Sequence, residues 1–383
     1  MNPKDFEKSP AGRCIKTLKD YCAFVPNPLP PIIEYDDRLI KLLSDADRLL
    51  GELSGTGRLL KNPYLLISPY IRREAVSSSK IEGTQSSLSD LFFYEASEMK
   101  TPKILDVKEV YNYVQSMIQG IALLEKIPIS TRLICELHKI LMQGVRGEHS
   151  TPGELRMSQN WIGPPGCMLN EATFIPPPVE EMNASLSDWE RYINSEPKEP
   201  ILIQASLLHY QFETIHPFID GNGRIGRLLI TLFLCQKGSL TQPLLYLSEF
   251  FEKHRDDYYA RLLAVSKIGD WKGWIEFFLR GVINMTKDAL DTARKILALH
   301  DEYSQRINKA KRIPEIVHKL LDEIFTSPVV SVSVLTKNWD VSFNTLKSGV
   351  IKLQDLGIVK EVTGKRRNKL FASQALLDIL IKK

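Results

Sequence analysis

The sequence predicts a mainly α protein: an all-helical core carrying a β-hairpin, a helical N-terminal region, and a C-terminal unit of three helices followed by a hairpin. Three observations support this. Apolar residues recur at helical spacing from just after the proline-rich stretch PNPLPPIIEY (26–35) to about residue 300. The pattern breaks at GPPGCMLNEATFIPPPVE (163–180), where prolines and glycines exclude helix and leave room for a short hairpin. After the polar stretch DEYSQRINKAKRIP (301–314), a helix end and linker, the chain changes style. These breaks put the N-terminal region at 1–118, the core at 119–300 with its insert at about 163–178, and the last unit at 309–383.

A chain of 383 residues that is 43% hydrophobic can bury large cores. Its opening, MNPKDFEKSPAGRC, lacks the basic-then-apolar run of a secretory signal, and no stretch approaches the roughly eighteen apolar residues of a membrane span. The expectation is a cytoplasmic protein with no membrane contact. Cys14, Cys22, Cys135, Cys167 and Cys235 show no paired ligand spacing, which points to reduced, buried thiols. In PNPLPPIIEY each proline fixes its own φ and disfavours helix at its predecessor, so the segment is extended.

The chemistry concentrates in one stretch. ILIQASLLHYQFETI carries Ala205, Leu208, Phe212 and Ile215 at helical spacing, and Pro217 then disfavours helix at His216. RIGRLLITLFLC resumes with Ile225, Leu228, Leu229, Leu232 and Phe233 on a buried face, so DGNG is a helix N-terminus. Glycines before a helix start make an anion site, because free N–H groups point outward and no Cβ blocks a phosphate. Arg224 and Arg227 lie one helical turn apart and can reach different phosphates. Asp220 offers a hard oxygen suited to Mg²⁺ bound to a phosphate ligand, and His216 can take a proton from an attacking hydroxyl. The residues therefore point to phosphoryl or nucleotidyl transfer to a hydroxyl.

HPFIDGNGRIGR (216–227) resembles the signature of Fic-domain proteins, His-Pro-Phe-x-Asp/Glu-Gly-Asn-Gly-Arg-x-x-Arg, at all nine specified positions. The resemblance implies an AMP transferase that uses ATP as co-substrate with Mg²⁺, and a target protein bearing a Tyr, Ser or Thr hydroxyl. Self-modification is part of that expectation, and a homodimer is compatible with it. His216 would be the general base, Phe218 a core anchor and Asp220 the Mg²⁺ ligand. Gly221, Asn222, Gly223, Arg224, Ile225, Gly226 and Arg227 would hold the nucleotide phosphates. NEATFIPPP resembles the family's hairpin flap, with Thr173 and Phe174 facing nucleotide and target. RDDYYARLLAVS resembles the segment whose paired tyrosines flank the base, here Tyr258 and Tyr259. It departs at Ser266, where relatives commonly carry asparagine, so base-specific hydrogen bonding is not implied there.

SSKIEG places Ser78 and Glu82 at i and i+4 on one helical face, and Gly83 can end the helix. The stretch, on a helix at about 70–83, resembles the family's inhibitory helix built in ahead of the core. That implies Glu82 pairs with Arg227, removes a γ-phosphate cation and leaves ATP misaligned. The same site is compatible with removal of AMP or with another nucleotidyl or phosphoryl transfer. A non-enzymatic alternative is a nucleotide-sensing regulator bound to DNA.

The DNA option comes from the tail. From Lys311 to Lys383 there are thirteen Lys and Arg against seven Asp and Glu, a surplus of six within a whole-chain net charge of +4. PEIVHKLLDEIF, VSVLTKNW and SFNTLKSGVIKLQDLG read as three helices, the last capped by Ser342 and stopped by Gly357. IVKEV and KLFAS flank the turn TGKRRN. Helix, helix, helix, hairpin resembles a winged helix-turn-helix domain, which implies a helix in a DNA groove and Lys365, Arg366, Arg367 and Lys369 on phosphates. Winged helices also dock proteins. His138 and His209, with no carboxylate or ligand spacing around them, read as packed core histidines, and most of the tryptophans as core.

Overall fold

The structure is a computed structural model that describes residues 1–383 apart from 18, 60–61, 98–103, 146–150, 165, 197 and 382–383. Pro165, inside the expected flap, lies outside the described residues.

The N-terminal region does not begin as helix. Strands β1 (Gly12–Lys16) and β2 (Cys22–Pro26) pair antiparallel, Gly12 opposite Pro26 and Lys16 opposite Cys22. Only glycine fits at position 12, since a Cβ there would lie 2.4 Å from the Val25 carbonyl oxygen. Short β-branched and cysteine-containing runs between polar turns carry too little periodicity to announce this pair. Helices α1 (Asp37–Leu59), α2 (Tyr64–Ile81), α3 (Leu88–Ala96), α4 (Ile104–Leu124) and α5 (Thr131–Leu141) follow.

Besides α5, the core holds α6 (Val179–Ile193), α7 (Ile201–Ile215), α8 (Asn222–Gln236), α9 (Ser248–Lys253), α10 (Arg255–Ile268) and α11 (Trp271–Lys309). α7 and α8 are buried nearly all round and pack on each other at the centre of the molecule. α11 runs through 301–309, so the expected linker is helical there, and it packs along α1.

The C-terminal unit runs α12 (Ile316–Thr326), β3 (Val329–Ser331), α13 (Val332–Asn338), α14 (Phe343–Asp355), β4 (Lys360–Glu361), β5 (Leu370–Ala372) and α15 (Gln374–Ile381). Its sheet is antiparallel in the order β3-β5-β4. Ser342 caps α14 by accepting from the Thr345 N–H at 3.2 Å, and Gly357 takes φ +69° just after it. β3 was not expected. The unit is welded to the rest: Ser68 Oγ on α2 donates to the Thr326 carbonyl at 2.8 Å, and one contiguous set of buried side chains extends from Phe6 to Leu380.

α2 is anchored at its middle. Arg73 donates to Glu249 at 2.6 Å, to Asp288 at 3.2 Å and to the Tyr246 hydroxyl at 2.9 Å. The buried Glu74 accepts from the Tyr113 hydroxyl at 3.1 Å and the Ser248 N–H at 3.0 Å. The five cysteines are free and half-buried, so the expectation of thiols is met without full burial. Among the described residues no helix is long and apolar enough to cross a membrane.

Candidate active site

The α7–α8 connection is held in two left-handed residues. His216 closes α7 at φ 50°, ψ 62°, and Gly221 opens α8 at φ 78°. A non-glycine residue tolerates the first only under firm restraint. Arg156 supplies it: buried, it donates from Nε to the His216 carbonyl at 2.9 Å and from Nη2 to the Pro177 carbonyl at 2.5 Å, and its own N–H donates to the Pro217 carbonyl at 2.9 Å. Asn160 Nδ2 adds bonds to the His216 and Phe218 carbonyls at 3.1 and 2.8 Å. Asn222 folds back on the same loop, its Oδ1 accepting from the Phe218 N–H and its Nδ2 donating to the Phe218 carbonyl, both at 2.8 Å.

Phe218 is fully buried and stacks on His138, centroids 3.8 Å apart and planes at 7°. His138 Nδ1 accepts from the Gly153 N–H at 2.9 Å, so Nε2 carries the proton and donates to the Asp220 carbonyl at 3.0 Å. His138 is a core histidine, as read, but one that sets the loop carrying the acid.

His216 itself has its Nδ1 3.1 Å from the Glu213 carbonyl. A carbonyl only accepts, so the proton sits on Nδ1 and Nε2 keeps its lone pair. Burial pushes its pKa down to about 4; the bond to Glu213 opposes this and the Arg156 charge adds to it. The ring is a neutral base at physiological pH.

His216 opens on a cleft of about 670 Å³ whose walls include Thr173, Asp220, Gly221, Asn222, Gly223, Arg227, Tyr259 and Ser266. α8 begins at this cleft, and its first internal donor is the Ile225 N–H, which bonds the Gly221 carbonyl at 3.1 Å. The preceding amides belong to the exposed end of the dipole and face an anion. Asp220 is half exposed, with Oδ1 accepting from the Gly221 N–H at 2.6 Å. Among the described residues no cluster of three or more His, Cys, Asp and Glu could cage a metal. A lone carboxylate beside an anion loop still suits Mg²⁺, which keeps waters and takes phosphate oxygens.

Arg227 is the buried cation of the cleft. Its Nε donates to Ser78 Oγ at 2.9 Å, and Nη2 donates to the Ser78 carbonyl at 3.0 Å and to Glu82 Oε1 at 2.5 Å. Glu82 is the C-cap of α2, and Gly83 at φ +94° turns the chain away behind it. Burial works to raise the Glu82 pKa, but the charge and hydrogen bond of Arg227, with the Arg224 charge behind them, outweigh it and hold the carboxyl below its usual range. A Cβ on Gly223 would lie 2.4 Å from Glu82 Oε1, so the carboxylate rests in the space the missing side chain leaves.

Several expected residues stand elsewhere. Arg224 is buried behind the cleft, 3.7 Å from Glu109, 3.7 Å from Met142 Sδ and 3.8 Å from Asp220 at the cleft edge. Ile225 is core, and the Gly226 carbonyl accepts from His209 Nδ1 at 3.1 Å. Tyr258 is also core: its hydroxyl donates to His209 Nε2 at 2.8 Å, and its ring stacks on Phe251. Consecutive helical residues point about 100° apart, so Tyr259 alone of the pair reaches the cleft. The flap is a loop closed by one bridge, Ile162 to Phe174, with a 3₁₀ turn at Leu169–Glu171 in place of longer strands. Proline at 176–178 prevents further pairing. Thr173 and Phe174 both border the cleft, the Phe174 ring also packing against Phe6 and Phe24, at 6.1 and 5.7 Å. Lys365, Arg366, Arg367 and Lys369 are exposed on the β4–β5 turn, outside the cleft.

Arg156, Asn160 and Glu213 escaped the sequence reading. Nothing local distinguishes a buried arginine in ELRMSQNW from a surface one. Glu213 lies in the helix read as apolar, and its place directly before the histidine motif was the available signal.

Comparison with known proteins matches residues 40–122 to the family model "Fic/DOC family N-terminal" and residues 128–234 to "Fic/DOC family". The protein named protein adenylyltransferase Fic from Drosophila erecta is 31% identical over 172 residues, 44% of this chain and 30% of its own length; that from Drosophila melanogaster is 30% identical over the same span. The chain thus spans about a third of the length of the curated relatives it matches. Among solved structures, a Fic family protein from Desulfovibrio desulfuricans G20 is similar in fold, with TM-score 0.58, 17% identity, and coverage of 90% of this chain and 98% of its own. Fic-1 from C. elegans follows at TM-score 0.52, 22% identity and 67% and 73% coverage.

Proposed function

The chain belongs to the Fic/DOC family, and on that premise we propose that it transfers AMP from ATP to a Tyr, Ser or Thr hydroxyl of a target protein, and of itself, with Glu82 holding the reaction back. The observation that carries the reading is a neutral His216 and a Glu82-paired Arg227 in one cleft with the α8 amides. The names of the Drosophila relatives support the same chemistry.

His216 Nε2 takes the proton of the incoming hydroxyl as its oxygen bonds the α-phosphorus. The bond from that phosphorus to the bridging oxygen breaks, and diphosphate leaves. The Gly221–Gly223 loop and the first α8 amides stabilise the phosphate charge. Asp220 would hold Mg²⁺, which neutralises phosphate oxygens when bound. Arg227 would grip the γ-phosphate once Glu82 releases it, setting the α-phosphate in line. The edge at Thr173 would align the target's backbone.

The test uses Glu82→Gly protein with Mg²⁺ and ATP labelled separately at the α and γ phosphates. We expect protein-bound α-label to accumulate at least about tenfold faster than in the parent, equivalent to about 1.4 kcal/mol of barrier, and to vanish in His216→Ala. Retained γ-label alone would instead indicate phosphoryl transfer, and α-label lost from pre-labelled protein would indicate AMP removal. Equal rates with and without Glu82 would remove the inhibitory role.

A further inference from the structure

Glu213 is a cleft residue that the transfer chemistry does not use. It stands in the last turn of α7, three residues before His216, and lines the cleft beside Thr214. Its Oε1 is buried without a hydrogen-bond partner among the described residues. A buried carboxyl oxygen left unpaired is costly, and on a residue that lines a cleft its carboxyl can be completed by what enters that cleft.

The oxygen is admitted by a missing side chain. A Cβ on Gly226 would lie 2.4 Å from Glu213 Oε1, just as a Cβ on Gly223 would lie 2.4 Å from Glu82 Oε1. Gly223 and Gly226 are i and i+3 on α8, so the two carboxylates rest on one stripe about a turn, or roughly 5 Å, apart. The first marks the phosphate end, where Arg227 sits. Glu213 feels the charges of Arg227 and Glu82, and Tyr259, the aromatic wall on α10 that lines the same cleft, feels Glu213 in turn, so the residue sits between the phosphate end and that wall. Burial also pushes its pKa up to about 7. A carboxylate repels phosphate oxygens, so its partner there is a hydrogen donor. In a nucleotide, the group one step from the phosphates that carries donors is the sugar.

We infer that Glu213 builds a ribose subsite, accepting hydrogen bonds from the sugar hydroxyls and selecting ribonucleotides over deoxyribonucleotides. The inference rests on the nucleotide reading above. A site built to bond a hydroxyl rejects the analogue that lacks it, because the acceptor stays buried and unpaired.

The experiment titrates ATP, 2′-deoxyATP and 3′-deoxyATP with Mg²⁺ into Glu82→Gly protein by calorimetry, then repeats this with Glu213→Ala and Glu213→Gln added. We expect at least one deoxynucleotide to bind about tenfold or more weakly than ATP. Glu213→Ala should bring ATP to the deoxynucleotide level while leaving the deoxynucleotide Kd unchanged, and Glu213→Gln, which keeps an acceptor oxygen and the shape, should fall between. Equal affinity for all three nucleotides, equal weakening of all three by Glu213→Ala, or no ATP binding at all would overturn the subsite. Discrimination without α-label transfer would sink the transferase reading and leave the subsite standing; transfer without discrimination would do the reverse.

Discussion

At the scale of single residues, the protonation state of His216 is the property most open to measurement. Its pKa of about 4 lies well below the ordinary histidine value of 6.5, so acid must reach roughly pH 4 before the base is lost. The acid limb of AMP transfer by the Glu82→Gly protein at saturating ATP should therefore fall near pH 4 to 5, with no inflection at 6.5. A midpoint near 6.5 would show the imidazole to be solvated. The motif residues were legible because their chemistry is compressed into twelve positions. Tyr258 is buried away from the cleft for a physical reason: sequence spacing gives the phase between residues on a helix, while which side faces the cleft depends on neighbours such as His209. Asn222 holds the anion loop from within, its side chain spending both bonds on the Phe218 backbone.

At the scale of elements, α2 carries the clearest prediction. Its middle is clamped by Arg73 and Glu74, and its last turn bears Ser78 and Glu82. With that clamp in place, release of Arg227 involves fraying of the final turn from Ser79 to Gly83. Arg73→Ala removes the cation facing Glu249 and Asp288, both partly exposed, and should cost about 2–3 kcal/mol. For a chain of this length that is a fall in Tm of several degrees, read by calorimetry, and the freed helix should raise basal α-label transfer. An unchanged Tm would show that the clamp contributes nothing. The helices themselves were readable from period and caps, as with Ser342 and Gly357 around α14. β1, β2 and β3 were not, because strands of three to five residues offer too few positions for a period to be seen.

At the scale of the whole molecule, the C-terminal unit presents α14 with Phe343, Lys347 and Ile351 exposed, and a β4–β5 turn with Lys365, Arg366, Arg367 and Lys369 exposed. A DNA-binding role for this unit, which the sequence expectation raised, predicts that duplex binding weakens as salt rises. Replacing the four turn cations by glutamine should reduce the salt slope by up to about four. No binding at low salt would leave the face to protein docking or to solvent. The N-terminal strands have a longer reach. Phe24 on β2 packs on Phe174 at 5.7 Å, and its N–H donates to the Ile175 carbonyl at 2.9 Å, directly beside the bridge that closes the flap. If, as proposed, this edge aligns the acceptor, its position is calibrated by strands more than a hundred residues away along the chain. A perturbation near residue 24 would shift the ruler and leave the chemistry alone, changing which hydroxyl is chosen before it changes how fast any hydroxyl reacts.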